Sequence, residues 1–264
     1  MGTKKRVQMF QAMKFSRDSS IKTQVNVVRE VPLTIFLNER EIVTLLCMGE
    51  YLKDLAVGFL KSEGFLKEKR DIKSICVDEK KGQVRVKTYS HVEMGIKPGC
   101  KRTITSGAGK GQTFHNVMGA FQSKRIDSHL TITSRQTLKL MKRLGELSEV
   151  YKLTHGAHNS ALATPEQIIL FRTDIGRHNC LDMINGECFL KEIPTNNKVL
   201  VTSGRITSEM LMKTGDMGVP IVISRSAPTT LALSLAQETG ITVIGSVRGE
   251  NIYVYTNPQR VILD

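Results

Sequence analysis

Residues Lys198–Tyr255 read KVLVTSGRITSEMLMKTGDMGVPIVISRSAPTTLALSLAQETGITVIGSVRGENIYVY. Three short apolar runs, Val199–Val201, Ile221–Ile223 and Ile241–Ile244, are separated by two amphipathic stretches of helical length. Continuous β-branched runs bounded by Gly, Ser and Pro read as strands buried on both faces, so the stretch predicts a βαβαβ array in a parallel sheet. Each run ends in small polar residues with an arginine: Thr202–Arg205, Ser224–Ser226 and Ser246–Gly249. In such sheets the strand ends and the following helix N-termini share one edge, where free backbone N–H groups and helix dipoles favour anions. The three arginines therefore predict a phosphate-rich ligand. The blander reading is that small residues after a strand only cap helices, a role open to Ser208 and Ser226, with Pro228 suited to a first helical turn.

The 264 residues suit one large or two small domains, and the formal charge of +13 points to anionic partners. No apolar run approaches the roughly 18–20 residues of a membrane span. The basic N-terminus lacks the apolar core of a secretory signal; a mitochondrial-type presequence is the weaker alternative. Five scattered cysteines without a CxxC pair argue for a reducing compartment and against a disulfide framework or structural zinc site. The expected location is cytoplasmic. The absence of Trp and an aromatic content of 5% disfavour a base-stacking nucleic-acid binder.

Along the chain, residues 1–22 read as a flexible basic arm and 23–97 as a small α+β domain. That domain holds strands on either side of an Asn38–Glu39 turn, a helix over Tyr51–Glu63, and strands at Ile72–Val77 and Gln83–Tyr89. Residues 98–114 form a Gly-rich basic loop, and 115–264 the α/β domain. The loop's Gly107–Gly111 invites comparison with a P-loop. The match fails, because Ile104 stands where the first glycine is required and Gly111 where Ser or Thr is required. A Ser-capped helix is predicted over Ser134–Glu149, a strand over Gln167–Arg172, and a short helix from Cys180 to Asn185, ended by Gly186.

His155, His158 and His178 with Asp174 are the densest cluster of potential ligands. A hydrolytic metal site would need three ligands and an acid–base group, and no HxE or PCxxC accompanies them. A ligand-contacting polar cluster is the expected reading, with no metal. Arg177 beside His178 suits anion contact, and edge geometry makes Asp174, Arg177, His178, Ser203 and Arg205 the candidate ligand-binding residues. Cys47, Cys76, Cys180 and Cys188 are read as inert buried thiols, with a lowered pKa conceivable for Cys180 at a helix start. Cys100, among Lys97, Lys101 and Arg102, is the candidate reactive thiol.

Taken together, the segments EVPLTIFLN (30–38), DLAVGFLKSEG (54–64), THGAHNSALA (154–163), DIGRHNCLDMINGE (174–187), SGRITSEMLMK (203–213), SRSAPTTLALSLAQETG (224–240) and RGENIYVY (248–255) resemble the FdhD family of formate dehydrogenase accessory sulfur carriers. The resemblance implies a cytidine-deaminase-like α/β/α core with a mainly parallel sheet and a smaller N-terminal α+β domain. It also implies a persulfide taken from a cysteine desulfurase and passed to a molybdenum or tungsten bis(guanine dinucleotide) cofactor before insertion into formate dehydrogenase. The family's cofactor-binding segment falls on Ser246, Val247, Arg248, Gly249, Glu250 and Asn251, with GDP as a fragment ligand. Expected partners are the desulfurase, the dehydrogenase catalytic subunit and a second copy, without membrane or nucleic acid.

One position departs from the pattern. Where the family carries its persulfide cysteine this chain has Ala108, and sulfur transfer needs a thiolate. Three explanations fit: a substituted single-cysteine member, a member that binds cofactor without carrying sulfur, or one using Cys100. As written, the chain is expected to bind cofactor and transfer sulfur poorly or not at all. Other function classes compatible with the residues are a metal-dependent nucleotide deaminase or hydrolase and a basic nucleic-acid binder.

Overall fold

The computed structural model describes residues 6–89, the short strand at 103–104, and 125–264. The N-terminal region departs from the expected arm. β1 (Val7–Phe15) and β2 (Ser20–Val28) pair antiparallel in a two-stranded ribbon closed by a Ser16–Ser19 turn. Basic residues suggested a solvated coil, but the Val, Ile, Phe and Thr content between them has strand propensity.

β3 (Val31–Leu37) and β4 (Arg40–Cys47) follow as a hairpin. Its central residues, Asn38 (φ 47°) and Glu39 (φ 65°), adopt the left-handed conformation that matches strand twist in two-residue hairpins. With β5 (Ile72–Asp78), β6 (Gln83–Thr88) and β7 (Thr103–Ile104) they form a five-stranded sheet ordered β5-β6-β3-β4-β7. α1 (Leu52–Ser62) buries Leu55, Ala56, Val57 and Leu60 in the same cluster as Leu33, Ile35, Val84 and Val86 of that sheet.

β8 (Ile132–Thr133) leads into α2 (Ser134–Leu147) and α3 (Glu149–Thr154). Thr133, rather than Ser134, caps α2: its Oγ1 accepts from Gln136 N while Gln136 Oε1 accepts from Thr133 N, a capping box. β9 (His158–Ala163), β10 (Ile168–Asp174), α4 (Arg177–Lys191), β11 (Val199–Thr202), α5 (Ser208–Asp216), β12 (Ile221–Ser224), α6 (Thr230–Thr239), β13 (Thr242–Arg248), β14 (Asn251–Thr256) and β15 (Val261–Ile262) complete the chain. The large sheet is ordered β10-β9-β11-β12-β13-β14. Alternate residues on its strands separate two cores. Leu200, Val222 and Val243 pack with α4, α5 and α6, whereas Val199, Val201, Ile221, Ile223 and Ile244 pack with Leu140 and Leu144 of α2. Helices thus cover both faces.

The array β11-β12-β13 is parallel as predicted, but the sheet as a whole is mixed. β10 with β9, β9 with β11, and β13 with β14 are antiparallel. The connections explain it: Thr164–Gln167 and Gly249–Glu250 are too short to carry a parallel crossover. A second correction concerns α4. It runs through Gly186 to Lys191 instead of stopping there, because Gly186 faces α1 at a close helix crossing. Among the described residues no helix is long and apolar enough to cross a membrane.

Candidate functional site

The edge formed by the ends of β11, β12 and β13 and the start of β9 is laced by its small residues. Ser203 N–H donates to Asn159 O (2.9 Å), and Asn159 N–H donates to Ser203 Oγ (3.0 Å). Ser226 Oγ–H donates to Ser203 O (2.9 Å), and Ser246 N–H to Ser226 O (3.0 Å). Ser224 Oγ bonds Gly204 O and receives Ser226 N–H. These contacts correct the expectation of free backbone donors at the serine positions of the edge: the N–H groups of Ser203, Ser226 and Ser246, with that of Arg225, are taken up in hydrogen bonds within it. Ser226 is no helix cap either, since the N-cap residues of α5 and α6 are Thr207 and Thr229.

What this edge offers an anion is therefore side chains rather than free backbone donors. Arg177, the first residue of α4, packs beside Gly204: a Cβ there would lie 3.0 Å from Arg177 Cδ and 3.4 Å from His158 Nδ1. Glycine leaves the space in which the Arg177 and His158 side chains and the chain ahead of Arg205 meet. Arg177 Nε is buried without a hydrogen-bond acceptor. Burial and the neighbouring Arg205 hold the Arg177 guanidinium below its usual range, and burial, Arg177 and Arg205 do the same to the His158 imidazolium. Glu209 is the carboxylate that partly offsets this charge at Arg177. An anion seated here would relieve the repulsion and satisfy the orphan donor. Arg205, Arg225 and Arg248 stand exposed at successive strand ends.

Ser246–Asn251 is the bulged turn between β13 and β14, with pairing broken between Gly245 and Arg248. Ser246 (φ 53°) and Gly249 (φ 57°) take left-handed conformations. That turn buries Val247 while exposing Arg248, Gly249, Glu250 and Asn251. Ser246 Oγ lies 3.4 Å from Tyr255 Oη.

Other predicted residues turn away from the edge. Asp174 is fully buried and accepts from Met48 N (2.8 Å), Gly176 N (3.0 Å) and Asn179 Nδ2 (2.7 Å), bracing the end of β4 against the start of α4. Burial pushes its carboxyl up to about 6 against these bonds. His178 points at Glu209 (Nε2 to Oε2, 3.5 Å), and burial with Lys213 and Arg177 nearby lowers it to about 3. His155 is exposed, left-handed, and edge-on to Tyr151. The four histidine-cluster residues thus do not converge, and among the described residues no three His, Cys, Asp or Glu side chains group as metal ligands.

Burial first, and then the neighbouring Asp174 carboxylate, drive the fully buried Cys180 thiol well above the ordinary value, the reverse of a helix-start activation. Burial raises Cys47 to about 12 and Cys188 to about 11. Cys76 is exposed, contrary to expectation, because it lies on the outer face of β5, at the sheet's edge. Cys100 and Ala108 lie outside the described residues.

Sequence reasoning missed β9, which delivers His158 and Asn159 to the edge. HNSALA has no β-branched residue, and its small side chains are buried almost throughout. Asn159 is 2% exposed with Oδ1 unpartnered.

Fold and edge together define a mixed α/β protein with a cationic strand-end rim. The chain belongs to the FdhD/NarQ family, whose model matches residues 28–262. It is 44% identical to the sulfur carrier protein FdhD of Bacillus pumilus over 235 residues, covering 89% of this chain and 90% of that protein. It is 42% identical to the Bacillus subtilis sulfur carrier protein FdhD, covering 91% and 92% of the two chains. The crystal structure of a putative formate dehydrogenase accessory protein from Desulfotalea psychrophila shares the fold, with TM-score 0.81 at 23% identity over 97% of this chain and all of that one.

Proposed function

We propose that this protein is a cytoplasmic accessory factor for formate dehydrogenase that holds the molybdenum or tungsten bis(guanine dinucleotide) cofactor as cargo on the strand-end edge. The observation that carries the reading is the buried, acceptor-less Arg177 Nε beside Gly204, with Arg205 as a neighbouring cation and Glu209 as the carboxylate that partly offsets it. A pyrophosphate matches that charge and supplies acceptors. Arg205, Arg225 and the Arg248 turn extend the same rim toward the rest of a dinucleotide. Asp174 and Asn179 act by fixing the start of α4, which aims Arg177. Ser203 acts by closing β11 onto β9.

The relatives are named sulfur carriers. Their chemistry comes to this chain with Ala108 at the position the resemblance assigns to the thiol, so cargo binding is retained and sulfur loading from a cysteine desulfurase is lost. Homodimer formation and descent of the core from a cytidine-deaminase-like fold belong to the same reading. The experiment is to incubate the protein and its Ala108→Cys form with a cysteine desulfurase and radiolabelled cysteine. Label on Ala108→Cys alone supports the proposal; equal label on the unsubstituted chain would assign the sulfur to another cysteine, Cys100 first.

A further inference from the structure

The β1–β2 ribbon carries a run of exposed apolar residues that the strand-end edge does not use. Its register puts Phe10, Ile21, Val25 and Val27 on one face and Met9, Met13 and Phe15 on the other, all exposed, with Phe15 at 76% and Met9 at 66%. Two-stranded ribbons are marginal in water on their own. Among the described residues neither outer edge of this one is paired. Its root is firm: Val7 and Val28 pack against Met48, Val150, Ala157 and Ile175, and Arg6 pairs with Glu50 at 2.7 Å. Ala157 directly precedes His158 at the start of β9, so the ribbon springs from beside the ligand edge. It also precedes the family-matched segment apart from Val28.

We propose that this ribbon docks an acidic, extended segment of the protein that receives cargo from the edge, the formate dehydrogenase catalytic subunit in the function proposed above. Charge selects this occupant. Lys14, Arg17 and Lys22 are set against Asp18 alone within the ribbon, so a second copy meeting it ribbon to ribbon would bring like charge to like. The turn Ser16–Ser19 is polar and the apolar residues line both flanks, a layout suited to strand addition and side-chain pockets rather than tip-first entry into lipid. Rooting beside the edge places the recipient where the ligand is held.

The test compares the protein with Phe10→Ser/Val25→Ser and Lys14→Glu/Lys22→Glu, using purified cofactor-free dehydrogenase subunit as the titrant. GDP calorimetry on each variant reports separately on fold and edge. The expected result is dehydrogenase binding that weakens with salt and falls at least tenfold in both double variants, with GDP binding unchanged among the three. Absent or variant-independent dehydrogenase binding overturns the proposal while leaving the GDP result to judge the edge. So does a wild-type dimer that becomes monomeric in the variants, or variant-sensitive binding to the desulfurase or to phosphatidylglycerol vesicles in place of the dehydrogenase.

Discussion

Gly58 of α1 and Gly186 of α4 face each other where the two helices cross. A Cβ on Gly58 would lie 1.7 Å from Asp182 O, and one on Gly186 would lie 1.9 Å from Asp54 O. Backbone meets backbone here, so the five-stranded unit carrying α1 and the six-stranded sheet carrying α4 are held at a distance that only glycine permits.

Either glycine replaced by alanine is expected to force the helices apart. Overpacking of this kind costs about 1–3 kcal/mol, and the backbone clash puts these sites at the upper end. Urea denaturation of Gly58→Ala and Gly186→Ala checks this; an unchanged midpoint would mean the crossing relaxes freely.

Beyond that crossing lies a buried ion pair between Lys213 of α5 and Asp182 of α4 (2.8 and 2.6 Å), with Ser62 of α1 donating to the same carboxylate (2.9 Å). Removing one partner strands the other charge. Lys213→Met is expected to cost about 3–5 kcal/mol, and Lys213→Met/Asp182→Leu to recover much of it. Chemical denaturation of single and double variants measures the coupling; no recovery would contradict the pairing.

Two buried groups give opposite pH dependences. His178 drops from 6.5 to about 3 on folding, so the unfolded chain binds more protons between those values. Its contribution is present above 6.5 and lost as pH falls toward 3. Asp174 rises from 3.8 to about 6, so its contribution is present below 3.8 and lost as pH rises through 6. The groups facing His178 (Glu209, Lys213, Arg177 and His158) are common to wild type and variant. Relative to wild type, His178→Gln is expected to gain stability as pH is lowered from 6.5 to 4, and Asp174→Asn to gain it as pH is raised from 4 to 6.5. Urea midpoints across that range test the two signs.

Thiol labelling follows burial. Cys76 is expected to react with a maleimide in the native protein, and Cys47, Cys180 and Cys188 only after unfolding. Peptide mapping after brief labelling reads this directly; native labelling of Cys180 would show an open path to the start of α4.

The parallel strands β11, β12 and β13 were legible because their apolar runs are β-branched and punctuated by Gly, Ser and Pro, and the Asn38–Glu39 turn because it separates two such runs. What escaped depends on partners far away in sequence. Gly186 reads as a helix stop until Gly58 is brought against it. β9 reads as a loop because its residues are selected for burial between strands rather than for strand propensity. Arg177 and Arg205 do lie at the strand-end edge, but free backbone donors beside them were not to be expected, since Ser203, Ser226 and Ser246 lace their N–H groups into hydrogen bonds there. Asp174 looked like a ligand group because its inward hydrogen bonds to Met48 and Asn179 are invisible in one dimension.

In the proposed function the strand-end edge binds a guanine dinucleotide through arginine side chains. Calorimetric titration with GDP, comparing the protein with Arg177→Ala and Arg248→Ala, tests it most directly. The expected result is binding by the unsubstituted chain that weakens at least tenfold in each variant and diminishes with added salt. Binding equal in all three, or none in any, would contradict it.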